Sequence, residues 1–138
     1  VELESTLSYA GIKLLQGQRA QMVPQLDYGN LKVKRHYTGK RNKIGQSYSV
    51  RNVLFEPYLD QDKDWVSFAM EGIANAFFWN KPAIISTHRI NYTSAVDVTH
   101  RDKSLKQLEK LLQVIIHKYP DVEFMTTKQL TNILAGEA

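Results

Sequence analysis

Cysteine is absent from the 138-residue chain, which removes a disulfide scaffold, a thiolate zinc site and a cysteine nucleophile together. No apolar run approaches the ~18 residues that a membrane-spanning helix requires. The P-loop, the Gly-x-Gly-x-x-Gly dinucleotide fingerprint and the Gly-x-Ser-x-Gly nucleophile elbow are missing as well. The histidines, at 36, 88, 100 and 117, show no His-x-x-x-His spacing, so the chain supports no zinc site of its own. Excess charge is small: 18 Lys plus Arg against 14 Asp plus Glu give +4, short of the density of a dedicated nucleic-acid binder. Internal repeats and low-complexity tracts are also lacking. The opening Val1-Glu2-Leu3-Glu4 is neither an initiator methionine nor a signal peptide, and the expectation is a segment of a longer gene product.

What remains is the composition of an ordinary globular domain, 43% hydrophobic and 23% charged, with length for one core. Leu3, Leu7 and Ala10 share a helical face that Gly11 ends. Ile12 to Leu15 reads as a short buried strand. From Gln16 to Ser49 the periodicity is lost among Gly17, Pro24, Gly29, Gly39 and Gly45, so a long basic loop is expected at about 16–49, with only Leu31-Lys32-Val33 extended. Val50 to Phe55 predicts a strand closed by Glu56-Pro57. Asp60, Asp62 and Asp64 then start a buried helix over Trp65 to Trp79. Ala83 to Thr87 is a further strand. Ser104 and Gln107 form a capping-box pattern ahead of the stripe Leu105, Leu108, Leu111, Leu112, Ile115 and Ile116. Val122 to Met125 predicts a last strand, and Thr126 with Gln129 caps a last helix that Gly136 stops.

Strands alternating with helices predict an α/β fold with mainly parallel strands, as a single domain over 1–138 or a half-barrel fragment. Right-handed crossovers place every strand's C-terminal end on one sheet edge, where such folds build their sites. That edge collects Gln16 and Arg19, Glu56, His88 with Arg89 and Asn91, and Thr126 with Thr127. His88-Arg89-Ile90-Asn91-Tyr92 offers an imidazole for proton transfer, a fixed cation and an amide within one turn. The alternative is a histidine held by hydrogen bonds beneath a loop. Glu56 faces His88 as acid, base or orienting partner, or forms a structural ion pair with Arg51 or Arg89. A second carboxylate for glycoside hydrolysis is not evident, Asp97 in a loop being the nearest candidate. Asp60-x-Asp62-x-Asp64 with Glu71 imitates a calcium loop, but Trp65 stands where that loop needs glycine. Lys32, Lys34, Arg35, Lys40, Arg41 and Lys43 make a local basic patch without a nucleic-acid motif, and a solvated loop explains it best.

Gly45-Gln46-x-Tyr48, Arg51-Asn52-x-x-Phe55-Glu56-Pro57, Lys81-Pro82-Ala83-Ile84-Ile85-Ser86-Thr87-His88-Arg89-x-Asn91-Tyr92 and Asp121-Val122-Glu123-Phe124-Met125-Thr126-Thr127 occur in that order. This series resembles the C-terminal half of bacterial proteins in the glycoside hydrolase/polysaccharide deacetylase superfamily, over residues from about Gly11 to the end. The resemblance implies half of a distorted (β/α) barrel acting on polysaccharide or oligosaccharide, and an extracytoplasmic place of action. It makes His88 the late-strand histidine that serves as acid; Glu56, from its place at the neighbouring strand end, is the expected partner carboxylate. Arg51, Asn52, Arg89, Asn91, Tyr92, Gln16 and Arg19 would be substrate contacts. The family's divalent metal has no ligands encoded in this chain and would be held by an N-terminal half. The expected function is a carbohydrate-active hydrolase, deacetylase or glycosidase. A non-catalytic carbohydrate-binding module is the second reading, and an anion- or nucleic-acid-binding domain led by residues 32–43 the third. A half barrel left alone exposes strand edges, which favours pairing with the missing half or a second copy.

Overall fold

The computed structural model describes residues 2–24, 29–93 and 97–136. They fall into two compact units, Val1–Arg51 with Phe124–Ala138, and Asn52–Glu123. The class is α/β: among the described residues, short strands pair in three two-stranded sheets, two parallel and one antiparallel, with four α-helices.

The first unit opens with α1 (Glu2–Tyr9), ended as expected at Gly11, whose φ of 79° is left-handed. β1 (Leu14–Gly17) runs parallel to β4 (Ser47–Val50), and β2 (Ala20–Pro24) antiparallel to β3 (Leu31–Arg35). The long loop expected at 16–49 is therefore corrected, since it contains β2, β3 and β4. β2 and β3 are exposed at most positions; the expected extension at Leu31-Lys32-Val33 opens β3, while the backbone ladder defines β2. β4 is buried throughout, serines included. On the side away from β1, Tyr48 N donates to Lys40 O at 2.8 Å and accepts Gly39 N on its carbonyl at 2.9 Å. α4 (Thr127–Ala135) starts with the expected reciprocal cap between Thr126 and Gln129 and stops at left-handed Gly136. It buries Leu130, and Leu134 O accepts Arg41 Nη2 at 2.9 Å.

The second unit runs strand, helix, strand, helix. The single strand expected over Val50 to Phe55 is instead two, because the chain leaves β4 at Val50 and enters β5 (Val53–Leu54) after Arg51-Asn52. Asn52 makes the junction, its Oδ1 accepting Ile84 N at 2.7 Å and its Nδ2 donating to Pro82 O at 3.0 Å. β5 is parallel to β6 (Ile85–Ser86), and α2 (Trp65–Phe78) connects them. Asp64 caps α2, accepting Ser67 N at 3.0 Å and Ser67 Oγ at 2.7 Å. Val53, Phe55, Trp65, Ala69, Ile73, Leu111 and Ile115 form the core. Burying a side chain such as Phe55 or Leu111 contributes roughly 1.5–3 kcal/mol. Gly72 lies against β5, where an added Cβ would meet both Val53 methyls at 3.4 Å.

α3 (Val98–Lys118) begins earlier than the Ser104-Gln107 pattern suggests, because Asp97 accepts His100 N at 2.9 Å and caps it there. Ser104 is a mid-helix residue facing the core, 1% exposed. The inward face is Leu108, Leu111, Val114 and Ile115, while Leu105, Leu112 and Ile116 turn outward. The expected strand at Val122 to Met125 is also corrected. Among the described residues it has no ladder partner; only Val122 packs on the core, and Phe124 and Met125 are exposed.

Truncating Phe55 or Leu111 to alanine is expected to cost about 3–5 kcal/mol by leaving a cavity. Thr126→Ala should cost about 1 kcal/mol by removing a cap. Urea unfolding curves of the three variants measure the ranking.

Candidate active site

Parallel pairing puts the C-terminal ends of β5 and β6 on one edge. Phe55 N donates to Ser86 O at 2.9 Å, which sets Glu56 beside Thr87 and His88. The chain then turns sharply on both sides, at buried Pro57 and in a 3₁₀ turn over Arg89–Asn91. Glu56 is therefore held at a fixed point, with its side chain 3% exposed.

The carboxylate accepts three hydrogen bonds. His88 Nδ1 lies 2.6 Å from Oε1, while His88 N and Asn91 Nδ2 lie 3.3 Å and 2.7 Å from Oε2. Asn91, 1% exposed, also donates to His88 O at 2.8 Å and accepts Tyr58 N on Oδ1 at 2.8 Å. Thr87 Oγ1, 3.4 Å from Asn91 Nδ2, shares a 2.7 Å hydrogen bond with the Tyr92 hydroxyl. Burial, with the Glu56 charge adding to it, holds the Tyr92 phenol above its ordinary value against the Thr87 hydrogen bond. The phenol thus keeps its proton through the neutral range.

A carboxylate accepts and cannot donate, so His88 carries its proton on Nδ1. In the neutral ring the lone pair then sits on Nε2, on a side chain 68% exposed. A buried carboxylate here orients an exposed imidazole, a geometry compatible with acid–base chemistry.

Of the residues nominated by sequence, Glu56, His88, Asn91 and Tyr92 form this one network. Arg89 stands exposed in the same 3₁₀ turn, its carbonyl accepting Tyr92 N at 2.9 Å. Asn52 belongs to the same unit but spends its amide on Pro82 and Ile84. Gln16, Arg19 and Arg51 belong to the first unit: Gln16 is exposed in β1, Arg19 O accepts His36 N at 2.9 Å, and Arg51 N donates to Gly17 O at 3.3 Å. Among the described residues of its unit, the group at ion-pair distance from Glu56 is His88 rather than Arg89. Asp97 caps α3 and contacts His100 Nδ1 at 3.2 Å. Thr126 and Thr127 open α4 in the first unit. In the basic segment Lys34 pairs with Glu4, Lys40 donates to Arg35 O and Arg41 to Leu134 O.

Thr87 and the Tyr58 backbone amide were not nominated. Tyr58 follows Glu56-Pro57 directly, and the only signal was that a turn there must send its amide somewhere. Among the described residues no three His, Asp or Glu side chains converge on a metal-sized space. No protein-family model, curated protein or solved structure matches this chain.

Nitrogen-15 spectra of the imidazoles are expected to show His88 as the Nδ1–H tautomer in its neutral form. Asn91→Ala leaves Tyr58 N without its acceptor, which should destabilise the protein by about 1–3 kcal/mol and mix the His88 tautomers. The same spectra, recorded on the variant, check it.

Proposed function

We propose that the chain acts as a carbohydrate-active hydrolase, resembling glycoside hydrolase/polysaccharide deacetylase barrel proteins, with His88 as its proton-transfer group. The observation that carries this reading is the 2.6 Å bond between buried Glu56 and exposed His88 at the C-terminal edge of a parallel pair. Support for the broader architecture comes from the β5-α2-β6-α3 order, which suits consecutive β/α units of a barrel. In this reading the remaining strands come from an N-terminal half or a second copy.

The chemistry follows from the tautomer. With Nδ1–H held by Glu56, protonated His88 presents Nε2–H to the substrate. As water attacks an acetyl carbonyl or an anomeric carbon and gives up its own proton to solvent, Nε2 gives its proton to the departing oxygen or nitrogen. The same N–H stabilises negative charge building on an oxygen. Glu56 balances the imidazolium and stops the ring from turning. Arg89, in the 3₁₀ turn, and Tyr92, which follows it, would contact sugar hydroxyls or a substrate carboxylate. The resemblance implies a divalent metal, but this chain's described residues hold no converging ligand set. The roles assigned to them are proton transfer and binding.

The test uses acetylated and unacetylated oligosaccharides with the 138-residue chain, alone and within its full reading frame. Released acetate reports deacetylation, and shorter oligomers report glycoside cleavage. His88→Ala should lower kcat/KM by about 10²–10⁴-fold, the usual contribution of a positioned acid or base. Turnover that survives His88→Ala overturns the assignment. Binding without turnover in either form replaces it with a carbohydrate-binding module.

A further inference from the structure

A second polar cluster lies in the first unit, and the hydrolase reading makes no use of it. His36 is 8% exposed. Its Nε2 is 3.0 Å from Gln21 Oε1 of β2, and its ring is 4.0 Å from that of Tyr48 in β4. Its Nδ1 is buried and meets no hydrogen-bond partner. Beside the ring, the Tyr48 hydroxyl donates to Glu4 Oε1 of α1 at 2.5 Å. Lys34 Nζ of β3 donates to the same carboxylate at 3.2 Å and to the Tyr48 oxygen at 3.3 Å. The charged and titratable groups facing His36 are thus Lys34 from β3, Lys40 from the turn that follows, Tyr48 from β4 and Glu4 from α1.

The neutral ring suits this place. Nε2–H meets Gln21, and an unprotonated Nδ1 forfeits only an acceptor's opportunity. Protonation changes both terms. It sets an N–H at Nδ1 with nothing to receive it, and it adds a positive charge near two lysines. Glu4, the one nearby anion in that set, is already engaged by Lys34 and Tyr48. A buried donor without an acceptor and an unmatched buried charge are both costly.

We propose that His36 is an acid-operated latch: on protonation its ring leaves the space between Gln21 and Tyr48, loosening the β2–β3 pair and α1 from β4. Burial, and then Lys34 and Lys40, hold the closed-state imidazole below its ordinary value, with Glu4 opposing. In the open chain it titrates near its ordinary value of about 6.5. The closed form therefore has its full advantage above that pH and loses it as the pH falls from there toward the depressed closed-state value. Glu4 acts in a separate and more acidic window. Tyr48 and Lys34 hold its carboxyl below the usual range, so its contribution is present above the unfolded value and lost as pH falls through the folded one. Opening leaves a histidinium and a released Lys34 on a segment that already carries Lys32 and Arg35.

Hydrogen–deuterium exchange on the whole chain from about pH 8 to about pH 5, corrected for intrinsic exchange, tests the latch. Protection over residues 31–50 should fall by roughly tenfold or more below about pH 6.5, while α2 keeps its own. His36→Gln should flatten that dependence. Unchanged protection in the natural chain, or the same loss in His36→Gln, overturns the proposal. If that variant does not fold, a proton titration of the natural chain decides instead. A ring that titrates at its ordinary value without moving the Tyr48 resonances overturns the latch, and a depressed midpoint shared with Tyr48 supports it.

Discussion

Taking an ionised carboxylate out of water costs several kcal/mol even after relaxation, so Glu56 dictates what its neighbours must be. With its side chain 3% exposed, it needs every donor that the ends of β5 and β6 can bring. Asn91 answers with its amide, and the 3₁₀ turn exists in the form that lets that amide reach both Glu56 and the His88 carbonyl. Tyr58 N closes the arrangement from the opposite strand end. The imidazole reaches the surface, its side chain 68% exposed. Its orientation is set by the desolvation of the acid behind it, not by anything in front of it.

The first unit solves its electrostatics differently. There the acid, Glu4, stays partly open to solvent, and the histidine is the buried partner. A phenol and an ammonium share the carboxylate, which ties a helix to two strands from different sheets. In one unit a carboxylate immobilises an imidazole; in the other an imidazole is enclosed with cations for company.

Legibility in the sequence tracks how local each cause is. The Thr126–Gln129 cap, the stop at Gly136 and the acidic start of α2 are set by neighbours along the chain, and each was readable. The meeting of Glu56 with His88 was readable too, because parallel strand ends share an edge. Leu31 to Val33 was readable as extended, but its pairing with β2 was not, since these residues are mostly exposed and long-range backbone bonds alone reveal it. Ser104 misled because its capping pattern is local while its actual environment, the core under Leu111, is tertiary. Val50 to Phe55 looked continuous because backbone bonds run through the break, Arg51 N donating to Gly17 O and Asn52 N to Ile84 O, while the Asn52 amide adds two more. Val122 to Met125 has strand composition, but composition does not provide a neighbour to pair with.

The contact between Gly72 and Val53 bears on how firmly Glu56 is placed. Alanine there would just touch the two methyls 3.4 Å away, and anything larger would push β5 outward. Glu56 lies three residues farther along that same chain, where a displacement of a few tenths of an ångström is comparable with the margin separating a good hydrogen bond from a poor one. A larger side chain at this helix position would therefore act on Glu56 through the strand, without touching a polar atom of the site.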